Sequence, residues 1–201
     1  MTGARNRLLA AVCLFALTAC APLHTQSEDK VMAVLDQLPG SLPKGRTRPA
    51  ALLVLAPDSQ ATYETTRIAY IEMPHRIAYF SRHEWVATPS QMLQSLLLKM
   101  LDRAHYFGAV LNPPYGGQYG YVLQIRIQEL LQDFTSDPPM LRLALHVQLN
   151  GGMSNRVLAS REIALQEAMH ERTPLAGVEA ANLAVAEALR QLAVFLLEKT
   201  P

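Results

Sequence analysis

Residues 121–128, YVLQIRIQ, and 141–149, LRLALHVQL, decide how this chain folds. In the first, Tyr121, Leu123, Ile125 and Ile127 fall on one side of an extended chain, with Gln124, Arg126 and Gln128 on the other. In the second, Leu141, Leu143, Leu145, Val147 and Leu149 oppose Arg142, His146 and Gln148. Side chains alternate across a strand with period two, so each stretch has one apolar and one polar face. That pattern belongs to antiparallel strands covered on one side only. Asp137-Pro138-Pro139 turns the chain between them and Asn150-Gly151-Gly152 makes the next turn. Val157–Gln166 then continues more weakly, with Ile163 and Leu165 against Glu162 and Gln166.

Working outward, Leu52–Leu55 reads as a short buried strand closed by Pro57. Arg67–Met73 and Arg76–Arg82 flank Pro74-His75 and predict a hairpin. Thr88-Pro89 supplies a cap and a first-turn proline for a helix to about His105, with Leu93, Leu97, Met100, Leu101 and Ala104 at helical spacing. Met92 and Leu96 widen its apolar face, so it should pack on a broad surface. Thr173-Pro174 opens a second helix to about Glu198, striped by Val178, Ala181, Val185, Leu189, Leu192 and Leu196. The resulting order, β-β-β-α-β-β-β-α, predicts an α+β fold. A twisted, mainly antiparallel sheet carries two main helices packed on one face.

The chain has 201 residues, half of them apolar, and a formal charge of +1. Residues 1–19 combine Arg5 and Arg7 with an apolar run from Leu8 to Leu17, the layout of a bacterial secretory signal. That run is well short of the roughly 20 residues that span a bilayer. Removing it takes two basic charges and turns +1 into −1, which leaves no basic footprint for nucleic acid.

Leu17-Thr18-Ala19-Cys20 reads as a lipobox. The Cys20 thiol takes a diacylglyceryl group, cleavage follows before it, and the freed amine takes a further acyl chain such as palmitate. With about 0.8 kcal/mol per buried CH₂, two or three chains anchor a protein stably. Cys13 leaves with the signal, so Cys20 is the lone mature cysteine and no internal disulfide is available. Ala21 follows it where aspartate would retain a lipoprotein at the inner membrane, so the expected address is the outer membrane, facing the periplasm. The expected domains are a signal peptide at 1–19, a lipidated N-terminus and tether at 20–49, and a globular domain at 50–201. Within the tether, Val31–Leu38 has the spacing of a short helix.

No motif for chemistry stands out. The six histidines are scattered, and His83-Glu84 begins like a zinc-binding helix but has Ala87 where the second histidine must sit. There is no nucleophile elbow, and Gly116-Gly117-Gln118-Tyr119-Gly120 lacks the lysine of a phosphate loop. Carboxylates near Asp133 and Asp137 border a turn, where aspartate is a usual turn former. No catalytic residue, metal site or cofactor is expected. What stands out is aromatic placement: ten of the twelve mature aromatics lie between Tyr63 and Tyr121. Tyr70, Phe80 and Trp85 read as core, whereas Tyr115 and Tyr119 read as an exposed contact loop.

The run Leu52–Pro57, then Tyr63-Glu64-Thr65-Thr66-Arg67-Ile68-Ala69-Tyr70, the Tyr79-Phe80 pair and Trp85 ahead of Thr88-Pro89 resemble the ABC-type transport auxiliary lipoprotein family, the PqiC-like proteins. Glu64 stands where that family more usually has aspartate. The resemblance spans about residues 50–198 and implies a non-enzymatic outer-membrane lipoprotein. It would work with an MCE-domain protein and an inner-membrane transport component to move lipids or other hydrophobic molecules. Ring-forming self-association comes with that implication. Two other readings stay open: a periplasmic lipid carrier with a cavity between sheet and helices, and an assembly lipoprotein for an outer-membrane protein. Tyr63, Glu64, Arg67, Tyr70, Tyr79, Phe80 and Trp85 are the candidate interaction residues. Arg67 beside Glu64 is expected to fork onto that carboxylate and pin the loop.

Overall fold

A computed structural model of the chain describes residues 29–152 and 154–200. Nine strands and two helices form an α+β fold with a curled mixed sheet. The spine is the strand Tyr121–Asp133 (β7), which pairs antiparallel along its whole length with Met140–Gly151 (β8). Strand β8 pairs in turn with Val157–Ala168 (β9), which forms one edge of the sheet. These are the strands that alternation predicts.

The other side of β7 is shared by three strands in succession, all parallel to it. Arg48–Val54 (β2) meets its start, Asp58–Ser59 (β3) its middle and Arg67–Met73 (β4) its end. Phe107–Leu111 (β6) extends β2, while Arg76–Trp85 (β5) extends β4 through the expected hairpin. His75, with φ 64°, makes its tight turn. Val31–Ala33 (β1) adds parallel to β5 and forms the opposite edge. Antiparallel ladders are the longest, and the parallel contacts are short.

Both helices start as their sequences predict. In Pro89–Ala104 (α1), the Thr88 hydroxyl accepts from Gln91 N–H and the Gln91 side chain accepts from Thr88 N–H, a complete capping box. Left-handed His105 ends it. In Pro174–Lys199 (α2), Thr173 accepts from Ala176 N–H. Helix α2 is long and apolar enough to cross a membrane, yet fourteen of its residues are buried, and it lies along β8 and β9 as a core helix. Its buried alanines, Ala180, Ala181, Ala184, Ala188 and Ala193, let it approach closely. Helix α1 lies beside it against β6. Leu52, Leu97, Met100, Leu123, Leu189 and Phe195 fill the layer between sheet and helices.

Residues 31–49 differ from the tether reading. Val31–Ala33 is a strand rather than a helical turn, Leu35 is buried, and Leu38 and Leu42 pack against the core. The physical reason is that α2 and α1 supply partners for this backbone. Asn182 donates to Val34 C=O and accepts from the N–H groups of Asp36 and Gln37. The Tyr106 hydroxyl donates to Pro43 C=O, and Thr47 donates to His105 C=O.

Candidate functional site

One bulge organises the sheet's helix-free face. Ile127 faces Leu145, but Glu129 faces Ala144, so Gln128 is the extra residue in β7. The phase of β7 flips there. Before the bulge, Gln124 and Arg126 point away from the helices; after it, Glu129, Leu131 and Asp133 do, whereas Leu130 and Gln132 turn toward α2.

Beyond the bulge, Arg142 on β8 bridges Glu129 at 2.7 Å and Asp133 at 3.2 Å. Asp133 also accepts from the Thr135 N–H and hydroxyl at 2.8 and 2.6 Å. Burial pushes the Asp133 carboxyl up, but the Thr135 hydrogen bonds and Arg142 outweigh it and hold the pKa below the usual carboxylate range.

The aromatic motif surrounds this ion network. Tyr63 ends a short 3₁₀ turn, Ala61–Tyr63, and is only 6% exposed. Burial, then the negative charge of Glu129, pushes its phenol up to about 12. Tyr79 donates to Thr62 C=O at 3.0 Å and Trp85 N–H donates to Thr66 C=O at 2.7 Å, so β5 holds the 61–66 turn at both ends. Arg67 stands over the Tyr79 ring, 4.1 Å from its centroid, rather than forked onto Glu64. Glu64 is exposed, and no Glu64–Arg67 ion pair occurs among the described residues. Tyr70 stacks on Phe80 at 4.3 Å, with Phe134 edge-on to both. Trp85 is buried, while Tyr70 and Phe80 are half-buried.

Before the bulge, the same face opens into a cleft of about 390 Å³ lined by Asp58, Gln124, Arg126, His146 and Gln148. Arg126 donates twice to Asp58, at 2.8 and 2.9 Å, across the β3–β7 pairing. That hydrogen bond, together with the charge of Arg126, holds Asp58 below its ordinary pKa. Gln148 donates to Gln124 and Asn150, and Asn150 to Asn155, so amides continue the polar surface to the β8–β9 turn.

Tyr115 and Tyr119 lie at the far end of β7 from the motif aromatics. Tyr115 is exposed and Tyr119 half-buried. Their loop is fixed by Gly152, whose N–H donates to Gly120 C=O; a Cβ there would stand 1.9 Å from the Tyr119 carbonyl oxygen. Leu17, Thr18, Ala19 and Cys20 lie outside the described residues. The network of Glu129, Asp133 and Arg142 was not singled out from sequence; its one signal is the break in alternation at Glu129-Leu130.

The arrangement offers charged pairs, amides and aromatic faces for contact. Among the described residues no group of three or more His, Cys, Asp or Glu is placed to hold a metal. Fold and site together define an α+β domain that presents a polar sheet face. The chain belongs to the family described as the ABC-type transport auxiliary lipoprotein component, which matches residues 34–193. It is similar in fold to protein XCC0632 of Xanthomonas campestris, with 18% identity, TM-score 0.72 and coverage of 84% of this chain and 95% of that one. A second solved protein, described as uncharacterized, has 13% identity, TM-score 0.68 and coverage of 84% and 99%. The hypothetical protein CT253 of Chlamydia trachomatis has 8% identity, TM-score 0.51 and coverage of 76% and 98%. No curated protein matches this chain in sequence.

Proposed function

We propose that this chain is the outer-membrane lipoprotein of an MCE-type transport system. Acylated Cys20 anchors it facing the periplasm. There it acts as a non-enzymatic adaptor that docks an MCE-domain protein, which an inner-membrane component drives. The cargo is a lipid or another hydrophobic molecule. Self-association belongs to the same reading.

The observation that carries this proposal is the difference between the sheet's two faces. One is filled by α1 and α2, with Leu52, Leu97, Leu123 and Leu196 fully buried. The other presents Gln124, Arg126, His146 and Gln148 around an open cleft. A filled interior favours a surface-presenting adaptor over a carrier with a lipid cavity between sheet and helices.

The test is native mass spectrometry of the chain purified with its membrane partners. The expected result is a complex containing an MCE-domain protein. A chain that retains one lipid per protein and no protein partner overturns the adaptor reading in favour of the carrier.

A further inference from the structure

Strand β1 is an edge, and edge strands in soluble proteins are usually blunted by charge. Here three of the four residues from Val31 to Val34 are large, apolar and exposed: Val31 by 50%, Met32 by 50% and Val34 by 41%. Val86 is 50% exposed and its N–H donates to Ala33 C=O, so it joins them directly. Val34 and Val86 share a groove of about 310 Å³ with Leu35 and Met92. Asp36 and Lys99 also line the groove, one charge of each sign, and Lys30 beside it pairs with Glu84 at 2.6 Å.

This apolar patch sits where the folded unit meets the segment leading to Cys20. Ten residues, 21–30, or eleven Cα–Cα steps, separate Cys20 from Val31. Fully extended they reach at most about 40 Å, and as a flexible coil about 20 Å. A lipid anchor at Cys20 therefore keeps this edge close to the bilayer surface. Contact with the interfacial region, about 5–10 Å into the headgroup boundary, requires only that this edge turn toward the membrane.

We infer that Val31, Met32, Val34 and Val86 form a membrane-contact patch lying in the interfacial layer of the bilayer that holds the anchor. The inference rests on the anchor reading of Cys20. Its occupant is the lipid surface, and its consequence is orientation: the β1 edge faces the membrane, while the β9 edge, five strands away across the sheet, faces away.

The experiment uses the mature lipidated chain in vesicles of phosphatidylethanolamine and phosphatidylglycerol. Met32→Cys, Val86→Cys and Leu158→Cys are spin-labelled separately; Leu158 is an apolar control on β9 with 46% exposure. Oxygen is expected to relax the labels at positions 32 and 86 several-fold more than a water-soluble nickel complex does, with the reverse at position 158. The mass of the N-terminal peptide from the same sample reports on the anchor. An unmodified Cys20 overturns the anchor and the patch together. An acylated Cys20 with positions 32 and 86 as water-accessible as 158 overturns the patch alone. Labels shielded from both reagents and broadened by one another overturn it in favour of contact between copies of the chain.

Discussion

The Arg67 guanidinium lies 4.1 Å from the centroid of the Tyr79 ring, while the Tyr79 hydroxyl holds Thr62 C=O at 3.0 Å. One tyrosine thus ties the 61–66 turn to the hairpin through its hydroxyl and carries the motif arginine on its face. An exposed cation–π contact contributes about 0.5–1 kcal/mol. Arg67→Ala is expected to lower Tm by about 1–4 °C, and Arg67→Lys to recover part of that. Glu64→Ala is expected to leave Tm unchanged, because its carboxylate makes no ion pair with Arg67. Thermal melts of the three variants check this; a loss with Glu64→Ala equal to that with Arg67→Ala would restore the fork onto Glu64.

Tyr63 is buried beside Glu129, and its phenol is pushed up to about 12. The neutral form is favoured in the folded state, so the folded protein holds a proton that the unfolded chain releases near pH 10. Stability from this group is therefore fully present below pH 10 and is lost as the pH rises from 10 towards 12, with a slope of about 1.4 kcal/mol per pH unit. In a spectrophotometric titration, Tyr63 should ionise late, in a step it shares with Tyr106, whose phenol burial also pushes up. Tyr63→Phe is expected to take one phenol out of that late step, leaving the part due to Tyr106, and to lessen the decline in stability above pH 10. A titration curve identical to wild type would count against this account.

Gly177 on α2 leaves room for Gln132: a Cβ there would stand 2.0 Å from the Gln132 Cδ. Gln132 is fully buried, donates to Pro174 C=O at 3.1 Å and leaves Oε1 without a partner. Alanine in place of glycine gains about 1 kcal/mol of helix propensity. Displacing the buried amide costs about 1–3 kcal/mol, so Gly177→Ala is expected to destabilise the fold. Combining it with Gln132→Ala, which opens the space, should restore stability. Denaturant unfolding of both single variants and the double variant measures the coupling; additive losses would place the clash elsewhere.

Sequence made the local features of this fold legible. The β4–β5 hairpin, the caps at Thr88 and Thr173 and the alternation of β7 to β9 each depend on neighbouring residues, so their signal is in the chain order. The two shortest strands depend on partners elsewhere. Asp58–Ser59 is a strand because Arg126 and Ile127 pair with it, and Val31–Ala33 because β5 offers an edge. Residues 34–37 lie against the domain because Asn182, nearly 150 positions away, satisfies their backbone. At the site, Tyr63 and Trp85 were recognisable as motif residues, whereas the place of Arg67 depended on a ring twelve residues on. Asp133 was legible as a turn former, since it accepts from Thr135, but its second partner Arg142 required the bulge that brings both onto one face.

That bulge predicts an acid response. Asp133 is held below its ordinary pKa of 3.8 despite burial, through Thr135 and Arg142. Its contribution is present above about pH 4 and is lost as the pH falls through its lowered folded value. Arg142→Gln removes the cation between Glu129 and Asp133 and leaves two carboxylates facing one another. Acid unfolding is then expected to begin at higher pH than in wild type, as circular dichroism between pH 2 and 6 would show. An unchanged acid midpoint would mean that Thr135 alone holds the carboxylate.

The Asp58–Arg126 pair separates stability from recognition. Its side chains are 58% and 60% exposed, so despite bidentate geometry solvent screening leaves the pair contributing little to the fold. Its position across the polar cleft makes it a probe of what that face meets. Arg126→Glu reverses the charge and sets two carboxylates against each other in the cleft, which weakens a docked partner more than it weakens the fold. Under the proposed adaptor role, the expected outcome is a Tm within about 3 °C of wild type together with a several-fold loss of retained MCE-domain protein in co-purification. Attraction between exposed charges is screened over about 8 Å at physiological salt, so the wild-type complex should also weaken as salt is raised. Full retention by Arg126→Glu at every salt concentration would move the docking surface off this cleft, leaving the aromatic end of the sheet as the face to test.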